Sequence, residues 1–253
     1  MLGIRHSPDE EPNAGLRSLR RPRRQGNVEW VERTRIEDGV ILVGGCSVVE
    51  FHIRVAQSRL RRDLLPSFWS LAGILRGSRV HTVADVRDLD VVPESNGVQT
   101  LSLREFDDPA RFPNIALIEF TRSHATIGKA VEVVRGQRSL VDIPELIVLW
   151  VAYVWGAGAQ ANPLLEGKGL PSAAFVEAAH ALAGVDLTPG LASEASCPEA
   201  IWQAAKWWTS YYEAAQQDRG AEHGDRAGRA RAMRPRGRFF VGQPSACVPE
   251  PAG

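Results

Sequence analysis

Three thiols and six imidazoles are the side chains here best suited to nucleophilic or metal chemistry. Cys197 stands in the sequence Ser196-Cys197-Pro198-Glu199, at the start of an apolar-periodic stretch. A thiol in the first turn of a helix is favoured as thiolate by the positive end of the dipole, so Cys197 is a candidate nucleophile. No histidine follows it closely to act as its base. Cys46, after Gly44-Gly45, reads as a small residue at a strand boundary, and Cys247 lies near the C-terminus. The histidines show no H-x-x-x-H or H-x-x-E spacing, so no metal site is expected. Gly44-Gly45 lacks the partners of a phosphate loop, and no cofactor is expected either.

These residues depend on the elements that carry them. Between Val40 and Thr121 the pattern is strand-like, in short apolar runs separated by turn residues. Val49, Phe51, Ile53 and Val55 alternate with Glu50, His52 and Arg54, which predicts a half-covered strand with His52 on its polar face. Gln57 to Leu65 has helical character and stops at Pro66. Further strands are predicted over 70–76, 79–86, 97–103 and 114–121, with a turn at Asp107-Asp108-Pro109. The second half turns helical. Ser123 is placed to cap a helix bearing Ile127, Val131 and Val134, and a second helix near Pro144 carries the apolar run 146–154. A third runs from Pro171-Ser172 to Gly184. A fourth follows Ser196, whose spacing to Glu199 is that of a capping box, with Ile201, Ala205, Trp208 and Tyr212 on one face. The expected class is α+β, an antiparallel sheet from the first half packed against helices from the second.

Composition bounds the rest. The chain has 253 residues, 44% hydrophobic and 24% charged, which excludes collagen-like, coiled-coil and wholly disordered readings. Its 30 basic and 30 acidic residues cancel to zero, but unevenly. Residues 1–26 carry six Arg against three acids, and 218–253 carry seven Arg against four, each a net of +3, leaving −6 for 27–217. Both ends are rich in Gly, Pro and Arg and read as disordered basic tails flanking one domain at 27–217. Arg-rich tails are a possible nucleic-acid contact. The longest apolar stretch, 146–161, is shorter than the ~20 residues that span a bilayer, and the first 26 residues hold no secretory apolar run. A cytoplasmic protein is expected, in keeping with three scattered cysteines. Trp150, Trp155, Trp202, Trp207 and Trp208 are placed to pack the core or line an acyl groove; Trp207 and Trp208, being adjacent, cannot face the same side.

Three stretches in colinear order resemble the circularly permuted papain-like hydrolases, the YiiX-like relatives of NlpC-type amidases and peptidases. The first is Val48-Val49-Glu50-Phe51-His52-Ile53-Arg54 followed by Ser67-Phe68-Trp69-Ser70-Leu71-Ala72-Gly73-Ile74-Leu75. The second runs from Glu94 through Gly97-Val98 to Leu103-Arg104-Glu105-Phe106 and the strand at Ile115. The third is Pro171-Ser172-Ala173-Ala174-Phe175-Val176-Glu177, ending in Ala183-Gly184-Val185-Asp186-Leu187. The resemblance covers about residues 40–208. It implies a papain-like domain in which a cysteine at a helix N-terminus is the nucleophile, a strand histidine the base and a polar residue its orienter. Those positions hold Ser172, Leu71 and Glu94 in this sequence.

A leucine moves no proton, so the resemblance implies a pseudoenzyme that binds a peptide, acyl or protein partner. A serine nucleophile would need another base. His81, on the strand after Leu71, is the nearest candidate; His180 lies eight residues up the helix of Ser172, about 12 Å along its axis. The plain alternative for Ser172 is a helix N-cap, and for Glu94 a solvated carboxylate. The enzyme alternative is an amidase, peptidase or acyl hydrolase using Ser172 or Cys197.

Overall fold

Central strands with an unbroken apolar run must be covered on both faces, and three strands here carry such a run. In β2 (Asp38–Gly44) Val40 and Leu42 enter one core cluster, Ile41 and Val43 the other. The same split separates Ala72 and Ile74 from Leu71 and Leu75 in β3 (Leu71–Arg76), and Ala116 and Ile118 from Ile115 and Leu117 in β6 (Asn114–Glu119). The computed structural model describes residues 15–83, 98–120, 124–135, 171–191, 196–219 and 235–243.

The sheet has seven strands in the order β1-β7-β6-β2-β3-β4-β5, with β1 (Leu16–Ser18), β4 (Arg79–Val83), β5 (Val98–Ser102) and β7 (Arg236–Val241) completing it. All pairs are antiparallel except β1 with β7. One face is covered by α3 (His124–Arg135), α4 (Pro171–Leu182) and α5 (Pro198–Arg219), through Ile127, Val131, Phe175, Val176, Ile201 and Trp202. The other face is covered by α1 (Asn27–Thr34), through Trp30 and Val31, and by Leu103 and Phe106 of a 3-10 turn. The fold is therefore α+β, as the change of period along the chain implies. Among the described residues no helix is long and apolar enough to cross a membrane.

Four expectations need correction. Residues 48–55 are not a strand but part of α2 (Val48–Ala56). Alternation over eight residues also satisfies i, i+4, and the local chemistry decides: Glu50 N–H donates to Ser47 Oγ at 3.2 Å and Ser47 N–H to Glu50 Oε2 at 3.1 Å, a full capping box. The helical character at 57–65 shrinks to a 3-10 turn, Ser58–Leu60.

The predicted capping box at Ser196 does not form. Ser196 Oγ donates to Glu177 Oε1 at 3.1 Å, and the Glu199 N–H donates to Gln57 Oε1 at 2.8 Å, so the N-terminus of α5 is capped from a distant segment. Finally, the domain does not stop at 27 and 217. Leu16–Ser18 and Arg236–Val241, inside the segments read as tails, are strands of the main sheet, and α5 runs to Arg219. Gly237 permits this closure, since a Cβ there would lie 2.7 Å from Leu16 Cδ2 and 2.8 Å from Leu117 O. The helix expected near Pro144, Ser123 and Cys247 lie outside the described residues.

Candidate functional site

Pro171 starts α4, and the helix meets the sheet at β3. The pairing of β3 with β4 covers Ile74–Arg76 against His81–Arg79. Ala72 is beyond the end of that ladder, so on this side its peptide groups need other partners. They find two hydroxyls: Ser172 Oγ accepts from Ala72 N–H at 3.2 Å, and Thr82 Oγ1 donates to Ala72 O at 2.6 Å. Ser172 is 0% exposed. It neither caps its own helix nor faces an open groove; it completes the hydrogen bonding of a strand.

Leu71, which the resemblance aligns with a histidine, is buried with Trp30, Val31 and Phe112 on the α1 side of the sheet. Ala72 and α4 share the opposite side. Strand alternation thus directs residue 71 away from Ser172. Glu94 lies outside the described residues.

His81 sits on β4 opposite Ile74, two residues and about 7 Å along β3 from Ala72. Its Nδ1 is 3.0 Å from Thr100 Oγ1 on β5. Burial lowers its pKa, and Arg76, Arg135 and Arg79 lower it further against Glu132. The hydroxyl that His81 engages is therefore that of Thr100. His180 is buried on α4, with Nδ1–H donating to Val176 O at 2.8 Å and its ring edge-on to Phe120; burial takes its pKa down to about 4. His52 is on α2, half-buried, beside Phe51.

The two described thiols are equally unsuited to nucleophilic work. Cys197 is fully buried, and desolvation, with Glu199 and Glu177 adding negative charge, pushes its pKa up to about 12. The helix dipole expected to yield a thiolate is outweighed by burial. Cys46 is half-buried, donates to the carbonyls of Ala110 and Arg111 at 2.9 and 3.3 Å, and is shifted upward by burial and Glu50. Among the described residues no three His, Cys, Asp or Glu side chains are grouped to hold a metal.

Two buried carboxylates were not anticipated. Glu177 of α4 accepts from Thr188 Oγ1 at 2.8 Å and Ser196 Oγ at 3.1 Å, and burial raises its pKa to about 7. Glu199 of α5 is 0% exposed and accepts from Ser67 Oγ at 2.5 Å and Gln203 Nε2 at 2.6 Å. Burial raises its pKa against the opposing pull of Arg61. Arg61 itself holds Asp63 with two bonds, at 3.0 and 2.7 Å, and lies over the ring of Phe68. Together they join α4, α5 and the 57–67 loop. The only sequence signal was a glutamate within an otherwise apolar helical run.

An open cleft lies further along β3. Ile74, Leu75, Phe120, Ile127 and His180 form its apolar floor, and Asp38, Arg76 and Glu119 its rim. The recess is small, with about 20 Å³ of space open to a water molecule. Gly128 lets the Arg76 guanidinium lie against α3, where a Cβ would come within 2.5 Å of it. Glu119 is held by Arg236 at 2.8 Å. No protein-family model, curated protein or solved structure matches the chain.

Proposed function

We propose that the protein is a catalytically inert binding protein, related in design to the permuted papain-like hydrolases, that engages a peptide, acyl or protein partner. The observation that carries this reading is the commitment of the Ser172 hydroxyl to the Ala72 amide in a site closed to solvent. A nucleophile needs an adjacent base and an approach for substrate, and the bonded partner here is a backbone N–H. The ligand surface in this reading is the rim at Ile74–Arg76, where Asp38, Arg76 and Glu119 present charge around a small apolar recess. A reducing compartment suits Cys46 and Cys197, both free thiols. The test is hydrolysis of p-nitrophenyl acyl esters, thioesters and a casein digest. No turnover is expected, and turnover abolished by Ser172→Ala would overturn the proposal.

One observation favours a second reading. Residues 15–35 carry seven arginines against Glu29 and Glu32, and Arg17, Arg20, Arg23 and Arg24 are exposed. Such a segment suits a polyanion such as single-stranded nucleic acid. Here the check is substitution of Arg20, Arg23 and Arg24 by Ser, with oligo-dT binding followed against salt. A lower affinity and a salt slope flatter by about 0.7 per lost phosphate contact support it; unchanged binding removes it.

A further inference from the structure

Both basic ends of the chain meet on one side of the sheet edge. Leu16 and Phe239 belong to the core beneath α3, α4 and α5, whereas Leu19 and Phe240 pack with the cluster on the α1 side. Strand alternation therefore turns Arg17 of β1, and Arg236 and Arg238 of β7, to the α1 side. Arg17 and Arg238 are in register on neighbouring strands, and β1 is the last strand on that edge. Arg236, two residues along β7, is engaged by Glu119 at 2.8 Å.

The segment after β1 extends the row on the same side. Arg21 turns inward: its Cζ lies 4.3 Å over the Phe240 ring, and its guanidinium donates to Asn27 Oδ1 and to Pro113 O, the latter at 3.4 Å. Trp30 Nε1 donates to Leu19 O at 2.9 Å, and Arg33 Nη1 to Gln25 Oε1 at 2.8 Å. With the turn fastened at both ends, Arg20, Arg23 and Arg24 are left exposed beyond Arg17. Charges from opposite ends of the chain thus share one face.

We infer that the two basic ends form a single binding surface, across which a single-stranded nucleic acid lies with its phosphates on Arg17, Arg238 and the arginines of the 20–24 turn. The inference rests on the polyanion reading of residues 15–35 and adds to it a second contributor, β7, and one class of ligand. A guanidinium presents a planar fork that binds a phosphate through two N–H groups. The row of forks runs from the strand edge onto a turn. A flexible single strand follows such a path, whereas a duplex, stiff over about 50 nm, bends to it only at a cost. Helix α1 on this side exposes Glu29 and Glu32 beside Arg33, so it offers no basic face to a duplex groove. Contacts to phosphate carry no sequence information, and little base preference is expected.

Fluorescence anisotropy of labelled oligo-dT with the full chain, over about 50–200 mM salt, reads the contact. The wild type should bind. Arg17→Ser and Arg238→Ser together should weaken binding tenfold or more and flatten the salt slope by about 1.4, or about 0.7 for each of two phosphate contacts. The charge-matched pair Arg59→Ser and Arg79→Ser, at exposed arginines outside this surface, should bind as the wild type does. Thermal melts check folding; if the first pair unfolds the chain, Arg17→Gln and Arg238→Gln replace it with the same expectation. Loss of binding on substituting Arg20, Arg23 and Arg24, with no loss from Arg17 and Arg238 beyond the charge-matched pair, overturns this inference and leaves the polyanion reading standing. A wild type that does not bind ends both. Tighter binding of duplex DNA, poly-glutamate or phosphatidylserine vesicles than of oligo-dT overturns the choice of ligand.

Discussion

A hydroxyl in the first turn of a helix is read in sequence as a cap, and in a hydrolase-like context as a nucleophile. Ser172 is neither, because what it satisfies is decided by where the β3–β4 ladder ends. That end point depends on a strand partner far away in sequence, which local spacing does not encode. Ser172→Ala should therefore lower stability by about 1–3 kcal/mol, the cost of leaving a buried N–H without its partner. Urea unfolding measures it, and a loss below a few tenths would refute the assignment. Ser172→Cys should show no hydrolase activity.

The buried titratable groups of α4 make opposite contributions to stability. The Glu177 pKa is raised to about 7, so its stabilisation is complete below the unfolded value near 4.5 and is lost as pH rises through 7. The His180 pKa is lowered to about 4, so its stabilisation is complete above 6.5 and is lost as pH falls toward 4. Each shift corresponds to about 3 kcal/mol at 1.36 kcal/mol per unit. Glu199 reinforces the first arm and His81 the second. Between about pH 4.5 and 6.5 the two arms offset each other. Glu177→Gln should unmask a rise in stability across that interval, and His180→Leu a fall. Denaturant midpoints at several pH values decide it, and parallel profiles for both variants and the wild type would refute the account.

At the scale of elements, what was legible followed burial on one or two faces. β3, β4, β5 and β6, the apolar stripe of α3 and the extent of α4 to Gly184, with its φ of 77°, were readable because periodicity and termination signals agreed. α2 was misread because alternation and helical spacing coincide over so short a run. The capping box at Ser47 and Glu50 was the discriminating signal, and Ser47→Ala should cost about 1 kcal/mol. β1 and β7 were missed for another reason. Their arginines and glycines interrupt the apolar pattern, so only Phe239-Phe240-Val241 marked a strand in the C-terminal segment. The candidate site was less legible than the fold. Sequence fixes which residues are nucleophilic, but it does not show that Leu71 turns to the α1 face, or that Cys197 is sealed beneath the N-terminus of α5.

For the whole molecule the balance of charge takes on a structural meaning. The cationic ends include the edge of the sheet rather than ornaments beside it: Arg17 of β1 is in register with Arg238 of β7, and Arg236 holds Glu119 of β6. Charge on an edge strand discourages pairing with another chain, so Arg17 protects the edge of the sheet. Truncation and substitution should therefore have different effects. Removing residues 218–253 deletes β7, which pairs with β6 over six residues and packs Phe239 against Trp202 at 5.2 Å. It also leaves β1 without its strand partner. The truncated chain should lose cooperative unfolding and aggregate through the bared edge of β6. Phe239→Ala in the full chain should cost about 3–5 kcal/mol. Replacing Arg20, Arg23 and Arg24 by Ser should leave the melting temperature nearly unchanged, since these side chains are exposed. A truncated chain that melts cooperatively at the wild-type temperature would show that the C-terminal segment is the dispensable tail its composition resembles.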